Sequence, residues 1–169
     1  MINETSLIQR IERLEASQKD TARENHTHNG YNSLLVNFED ITQKKLYIHH
    51  TIYGTDAATA ANYGVFFIVP IKCVITGFQE VHQTAGTSGG SVVLNLEKLE
   101  DGEALGAGNE VLDTDISLKA TINEVQDGVL TTTLADRTFA KGDRLALKDT
   151  GTLTSVANVT VKIELIVVQ

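Results

Sequence analysis

Alternating apolar and polar residues predict short β-strands along most of the chain after residue 45. The alternation is clearest near the carboxyl terminus, at Val159, Val161, Ile163, Leu165 and Val167. Because successive side chains of a strand point to opposite faces, this spacing is typical of a strand that buries one face. A second clear run contains Val74, Thr76, Phe78 and Glu80. Patterns of this kind predict eight strands, at residues 46–53, 65–69, 74–83, 92–99, 111–118, 128–134, 144–148 and 159–168.

Turn-forming residues separate these strands and indicate the class of fold. Gly, Asp and Ser are concentrated at residues 87–90, 101–102, 127–128, 141–143 and 149–151. Eight short strands at this spacing, without long helices between them, are typical of an antiparallel β-sandwich or jelly roll. We therefore predict a mainly β body over residues 46–169.

The amino-terminal segment has a different periodicity, which is typical of a coiled coil. Leu7, Ile11, Leu14, Gln18 and Thr21 follow one another at spacings of four, three, four and three. An isolated helix of this length is only marginally stable in water, so burial against sister helices must stabilise it. The alternative is an amphipathic helix packed on its own domain, but the seam is narrow and favours self-association. We predict a short α-helical coiled coil over residues 1–25 that trimerises or anchors the chain.

A short motif within this segment favours three strands. The hexapeptide from Arg10 to Glu15, RIERLE, resembles the trimerisation motif of parallel three-stranded coiled coils. In that motif the Arg stem covers the apolar seam and its head pairs with a neighbouring Glu. A dimer is the alternative. The residues expected to form the trimer contacts are Leu7, Arg10, Ile11, Leu14, Glu15 and Gln18.

Residues 26–45 form a junction that begins with a candidate metal site, His26 and His28. In an extended chain, side chains two residues apart point the same way. If the preceding helix is a parallel trimer, three pairs supply six imidazoles to one transition-metal ion on the threefold axis. Two exposed histidines in a polar turn are the alternative. His49 and His50 are adjacent in a predicted strand, so they face opposite sides and cannot chelate together.

Charge and hydropathy argue against several classes of partner. The chain has 14 Lys and Arg against 22 Asp and Glu, a net charge of -8, so its average field repels nucleic acid. Its apolar runs are shorter than the roughly 18 residues that span a bilayer. The charged amino terminus also lacks the apolar stretch of a secretory signal. We expect neither nucleic-acid binding nor membrane insertion.

No candidate catalytic motif is complete. Ser88 lies in a G-x-S-x-G pattern, but it falls between two predicted strands and no histidine follows His82, so we expect a hairpin. Cys73 lies in an apolar segment, where a free thiol behaves as a small hydrophobe. The glycines of residues 103–108 lack the Lys-Ser/Thr of a phosphate loop. The acidic residues between 101 and 115 do not have calcium-loop spacing and are expected to form a solvated rim. We therefore predict a protein that is not an enzyme.

The predicted coiled coil, the segment HTHNGYNS from His26 to Ser33 and the Gly- and Thr-rich β body together resemble small fibre and decoration proteins of tailed bacteriophage virions. The His26 and His28 pair is similar to metal-binding pairs in trimeric phage fibres and spikes. The resemblance implies a homotrimeric structural protein of capsid-decoration or head-fibre type. Such a protein is made in the host cytoplasm and carried on the virion, where other capsid or tail proteins are its partners.

The alternative is a tail-fibre tip or adhesin that binds a host-surface carbohydrate. Loops at strand ends can offer polar and aromatic side chains to sugars. The candidate residues are Tyr53, Tyr63, Asp101, Asn109 and Asp113. Aromatic residues make up only 5% of the chain and tryptophan is absent, which disfavours this alternative.

Overall fold

Ten β-strands form two antiparallel sheets in the computed structural model, which describes residues 45–168. The predicted coiled coil and residues 26–44 of the junction lie outside the described residues. The strands are β1 (Lys45–Ile52), β2 (Val65–Ile68), β3 (Cys73–Thr84), β4 (Val92–Leu99), β5 (Asn109–Glu110), β6 (Ile116–Ser117), β7 (Gln126–Asp127), β8 (Thr138–Phe139), β9 (Arg144–Gly151) and β10 (Ala157–Val167). Two short 3-10 helices, Gly54–Ala58 and Ala60–Asn62, connect β1 to β2. Within residues 45–168, no helix has the length and apolar character needed to cross a membrane.

The strands are not paired in the order of the chain. Sheet A has the order β1-β10-β3-β7, and β8 also pairs with β3. Sheet B has the order β2-β9-β4-β5, and β6 also pairs with β4. The strands β1 to β4 therefore alternate between the two sheets. The prediction of a mainly β, antiparallel fold is confirmed for the described part of the chain.

Residues from both sheets form one hydrophobic core. All five alternating residues of β10, from Val159 to Val167, are at most 6% exposed, as their spacing predicts. Sheet B contributes buried residues of β4 and β9, namely Leu94, Leu96, Leu145 and Leu147. Each fully buried side chain of this size stabilises the fold by about 1.5–3 kcal/mol relative to an exposed one.

An irregularity in β3 changes the face on which its residues lie. The pairing with β10 shifts between Glu164 and Leu165, so that one additional residue of β3 is accommodated near Thr76. Val74 and Thr76 consequently lie on the outer face, whereas Phe78 and Glu80 are buried. The prediction that these four residues share one face is wrong. The shift therefore places the carboxyl group of Glu80 in the core.

The middle of the chain contains less strand than predicted. Within 111–118 only β6 is a strand, and 128–134 contributes a single bridge, between Leu112 and Leu130. Apolar residues of the first segment are nevertheless buried, including Val111 and Leu112. The Asn95 side chain accepts a hydrogen bond from the Leu112 amide at 3.2 Å and donates one to the Leu112 carbonyl at 3.3 Å. The Asn95 side chain thus bonds the Leu112 backbone, while the adjacent Val111 amide donates to the Leu96 carbonyl at 2.8 Å.

Two predicted turns have a different structure. The segment around Ser88 is not a hairpin, because β3 and β4 belong to different sheets. Lys119 Nζ fixes this connection by donating to the Ser88 carbonyl at 2.7 Å and the Gly90 carbonyl at 3.2 Å. The predicted turn at 149–151 is the end of β9. Gly151 there has φ +99°, and a Cβ at that position would clash with the Ser91 carbonyl.

Candidate functional site

The predicted metal and trimer residues lie outside the described residues. They are His26 and His28 for the metal, and Leu7, Arg10, Ile11, Leu14, Glu15 and Gln18 for the trimer. Within residues 45–168, no three His, Cys, Asp or Glu side chains are grouped so that they could hold a metal ion. His49 is exposed and His50 is half-buried, as predicted for adjacent strand residues.

A buried polar cluster lies on the inner face of β3. The Glu80 and His82 side chains are both 0% exposed, and His82 Nδ1 is 3.0 Å from Glu80 Oε1. Gln126 Nε2 donates to Glu80 Oε2 at 2.6 Å and to the Ser117 carbonyl at 3.0 Å. On its other side, His82 Nε2 is 3.3 Å from the Ala120 carbonyl. Because a carbonyl only accepts, Nε2 carries a hydrogen, and a second proton lies between Nδ1 and the carboxyl group.

This geometry makes His82 unavailable as a base for Ser88. Both ring nitrogens of His82 are used within the buried cluster, by Glu80 and by the Ala120 carbonyl. The Ser88 hydroxyl is buried and has no hydrogen-bond partner among the described residues. Since β3 leads through this segment to β4 rather than to a helix, the surroundings also lack the strand-turn-helix geometry of a nucleophile elbow.

Burial raises the pKa of Glu80, and this gives a pH-dependent prediction. The charge and hydrogen bond of His82, followed by the hydrogen bond from Gln126, lower this pKa but do not cancel the effect of burial. A carboxyl group with a raised folded pKa stabilises the fold below its unfolded pKa, and this contribution is lost as pH rises through the folded pKa. Glu80→Gln imitates the protonated carboxyl, so the variant should gain stability relative to the wild type as pH rises above about 4.5. Urea unfolding from pH 4 to 8 measures this difference, and a constant difference would contradict the prediction.

Cys73 is buried, as its apolar neighbours predict. It is 2% exposed, and burial followed by the charge of Asp143 raises the pKa of its thiol to about 11. Since the thiolate is the reactive form, this side chain is unsuited to nucleophilic chemistry near neutral pH.

The glycine loop after β4 is closed by a buried carboxylate. Glu97, which is 0% exposed, accepts hydrogen bonds at 2.9 Å from the amides of Gly106 and Gly108. A phosphate-binding loop presents such amides to a ligand. Here the protein's own side chain occupies them, and the loop serves to hold Glu97 in the fold.

Most of the predicted sugar-binding residues are not brought together. Tyr63 is buried, its hydroxyl donates to the Ala57 carbonyl at 3.1 Å, and it cannot be a stacking surface. Tyr53 is exposed at the end of β1, the first strand in the order of sheet A. Asn109 lies in β5, the last strand in the order of sheet B, and Asp101 and Asp113 are exposed in loops. These positions do not define one binding surface.

The outer face of sheet A carries a polar row that the sequence analysis missed. Strand register aligns His49, Lys162, Gln79 and Asp127 across β1, β10, β3 and β7. Lys162 Nζ donates to Gln79 Oε1 at 2.9 Å, and Gln79 Nε2 donates to Asp127 Oδ1 at 2.8 Å. Single alternating strands indicate which side chains face outward, but the row depends on pairings between distant segments. No signal in one strand identifies its neighbours.

A surface depression of about 370 Å³ lies beside this row. Gly77 lines it, and because glycine has no side chain the outer face is open at that point. Thr76, Lys162 and Glu164 contribute polar groups to its lining. The half-exposed Tyr47 ring lies next to it in the row formed by Tyr47, Glu164 and Gly77, with Lys162 Nζ 5.7 Å from the ring centroid. An aromatic ring next to hydrogen-bonding groups can contact a sugar.

Comparison with models of known protein families finds no match, and no curated protein matches the chain.

Proposed function

We propose that the chain is a non-enzymatic homotrimeric structural protein of a tailed-bacteriophage virion, of the capsid-decoration or short head-fibre type. The observation that carries the proposal is the way in which the strands are distributed between the two sheets. The orders β1-β10-β3-β7 and β2-β9-β4-β5 are those expected of a jelly roll, and the first four strands alternate between the sheets. Jelly rolls form viral capsid domains as well as lectins.

The amino-terminal pattern supports the trimer in this proposal. A coiled coil over residues 1–25 would hold three jelly-roll bodies together, and other capsid or tail proteins would be its partners on the virion. Light scattering after size exclusion should give three times the 18.3 kDa mass of the chain. Immunogold labelling of virions from the phage that carries the gene should decorate the particle surface. A monomer at micromolar concentration, or unlabelled particles, would exclude the proposal.

The histidine pair gives a prediction about metal content. If His26 and His28 of three chains surround one ion, metal analysis should find about one transition-metal ion per three chains. The double variant His26→Ala and His28→Ala should lose the ion and lower the temperature at which the trimer dissociates, because metal binding stabilises the assembled state. Its β-type circular dichroism should not change. If the trimers contain no metal and the double variant dissociates at the same temperature, this segment is an ordinary polar turn and the prediction is wrong.

The second candidate function is recognition of a host-surface carbohydrate, and the depression beside Tyr47 is the observation that favours it. Tyr47→Ala would remove the aromatic contact, whereas Thr150→Ala changes an exposed residue of β9 outside the depression and is the control. Saturable binding on a glycan array that Tyr47→Ala abolishes and Thr150→Ala retains would establish an adhesin. Absence of glycan binding, together with saturable binding to purified particles, would exclude it in favour of decoration.

A further inference from the structure

Eight of the ten large apolar side chains that are exposed within residues 45–168 lie in two regions, and the other two are Tyr47 and Ile71. Groups of exposed apolar side chains can mark interaction surfaces. The first, which we call the edge patch, contains Tyr53, Val65, Ile68 and Leu105. The second, which we call the far patch, contains Ile122, Val125, Val129 and Leu134. Each of these eight residues is at least 47% exposed.

The edge patch lies where both sheets end on the same side of the body. β1 is the first strand in the order of sheet A, and β2 is the first in that of sheet B. The rings of His50 and Phe66 stack across these two strands with centroids 4.7 Å apart, so the two ends are neighbours. Leu105 joins them, since its Cδ2 is 3.8 Å from where a Cβ would lie on Gly64. Within residues 45–168, no strand pairs with the outer edge of β1 or of β2.

The far patch lies at the opposite end of sheet A. Its residues belong to the segment that contains β7 and leads to β8, and both of these strands pair with the side of β3 that faces away from β10. The backbone holds this segment in place, because the Asn123 amide donates to the His82 carbonyl at 2.8 Å. The two patches are therefore separated by the width of sheet A and consist of different residues.

A contact between the bodies of a threefold assembly uses two different surfaces of each chain. In a ring of three identical chains every contact is head-to-tail, so one patch of each chain meets a different patch of the next. We propose, on the basis of the trimer in the proposed function, that the edge patch of one body packs on the far patch of the next copy. Three such contacts close the ring of β bodies. The occupant of each patch is a second copy of this chain.

The point at which the chain enters the body supports a second copy as the occupant. The segment predicted to self-associate precedes β1, and β1 forms one border of the edge patch. Only 19 residues, 26–44, separate that segment from Lys45. Bodies tethered at this distance have an effective concentration on the order of millimolar, so even weak apolar contacts are populated. Because the chain has a net charge of -8, the average field of one copy repels another, and apolar burial is the attraction that the two patches offer.

Labelling of single introduced cysteines tests this contact in the full chain. Ile68→Cys probes the edge patch, Val129→Cys probes the far patch, and Thr150→Cys is an exposed control on β9 outside both. Cys73 is buried and gives little background. Maleimide labelling is measured in the assembled protein and in the same variants with Ile11→Asp and Leu14→Asp, which disrupt the predicted coiled coil. Val65→Cys and Val125→Cys repeat the test at a second position in each patch.

In the trimer, positions 68 and 129 should label about tenfold more slowly than in the dissociated chain, since reaction requires the contact to open. Position 150 should label at the same rate in both. If the variant with Ile11→Asp and Leu14→Asp remains trimeric and both patches still label slowly, the inference is also supported, because the bodies then hold the assembly alone. Fast labelling at either patch in a protein of trimeric mass overturns the inference and leaves the proposed function intact. Slow labelling that persists when the variant with Ile11→Asp and Leu14→Asp is monomeric also overturns the inference, because the chain's own amino-terminal segment then covers the patch. A wild-type chain of monomeric mass instead excludes the proposed function itself.

Discussion

His82→Leu should lower the free energy of unfolding by about 3–5 kcal/mol, which is the cost of breaking a buried ionisable pair by removing one partner. The leucine fills the space of the imidazole with an apolar side chain. The Glu80 side chain stays 0% exposed, and Gln126 is then its only hydrogen-bond partner among the described residues. It also removes the donor to the Ala120 carbonyl. Urea unfolding at pH 7 measures the change. Gln83→Ala, at an exposed position of the same strand, should change stability by no more than about 0.5 kcal/mol.

A double variant separates the cost of the unpaired group from the value of the pair. Replacing a whole buried pair by apolar residues is often neutral or stabilising, because no group is then desolvated without a partner. Glu80→Leu combined with His82→Leu should therefore recover most of the stability lost in His82→Leu alone. If the two losses simply add, the groups do not act as a pair and our interpretation of the cluster is wrong.

Gly108→Ala should destabilise the body by about 2–3 kcal/mol, because a side chain there has no room. A Cβ on Gly108 would clash with the Lys98 carbonyl and would lie 2.8 Å from the Leu99 side chain. Relief of the clash must move the Gly108 amide, which donates to the buried Glu97 carboxylate at 2.9 Å. Thermal unfolding followed by circular dichroism measures the loss.

Gly90→Ala is the matched control for this prediction. Gly90 has no atom within 4 Å of an added Cβ and does not have a positive φ. Its replacement should leave the unfolding temperature unchanged or slightly raised, since alanine reduces the freedom of the unfolded chain. Equal unfolding temperatures for the two variants would mean that the loop after β4 relaxes freely and does not hold Glu97.

The strands with regular alternation could be predicted from the sequence, and those that depend on distant contacts could not. For β1, β4 and β10 the predicted ends differ from the observed ends by no more than two residues. The pattern at 111–118 indicated burial correctly but not its cause. Val111 and Leu112 are buried in an irregular segment that the Asn95 side chain and a few backbone hydrogen bonds hold in place, and periodicity does not distinguish this from a strand.

The buried polar groups were missed for a related reason. Glu80 lies in an alternating run with Val74 and Thr76, and only the register shift near Thr76 places Glu80 on the inner face. Its partners, His82 on the same strand and Gln126 some 46 residues away, are united only by the fold. Of the candidate sites, the histidine pair and the trimer residues remain predictions, because they lie outside the described residues.

The pairing of β1 with β10 sets the order in which this protein can form during synthesis. Lys45 lies opposite Ile166, so the first and last strands of the described chain are neighbours, and β10 also separates β1 from β3. Sheet A therefore cannot be completed until β10 has left the ribosome, and loop closure over such a distance is slow. The amino-terminal segment emerges more than 100 residues earlier. If it associates as its sequence predicts, nascent chains are joined before their bodies fold, and removal of the last strand would leave three joined but unfolded chains.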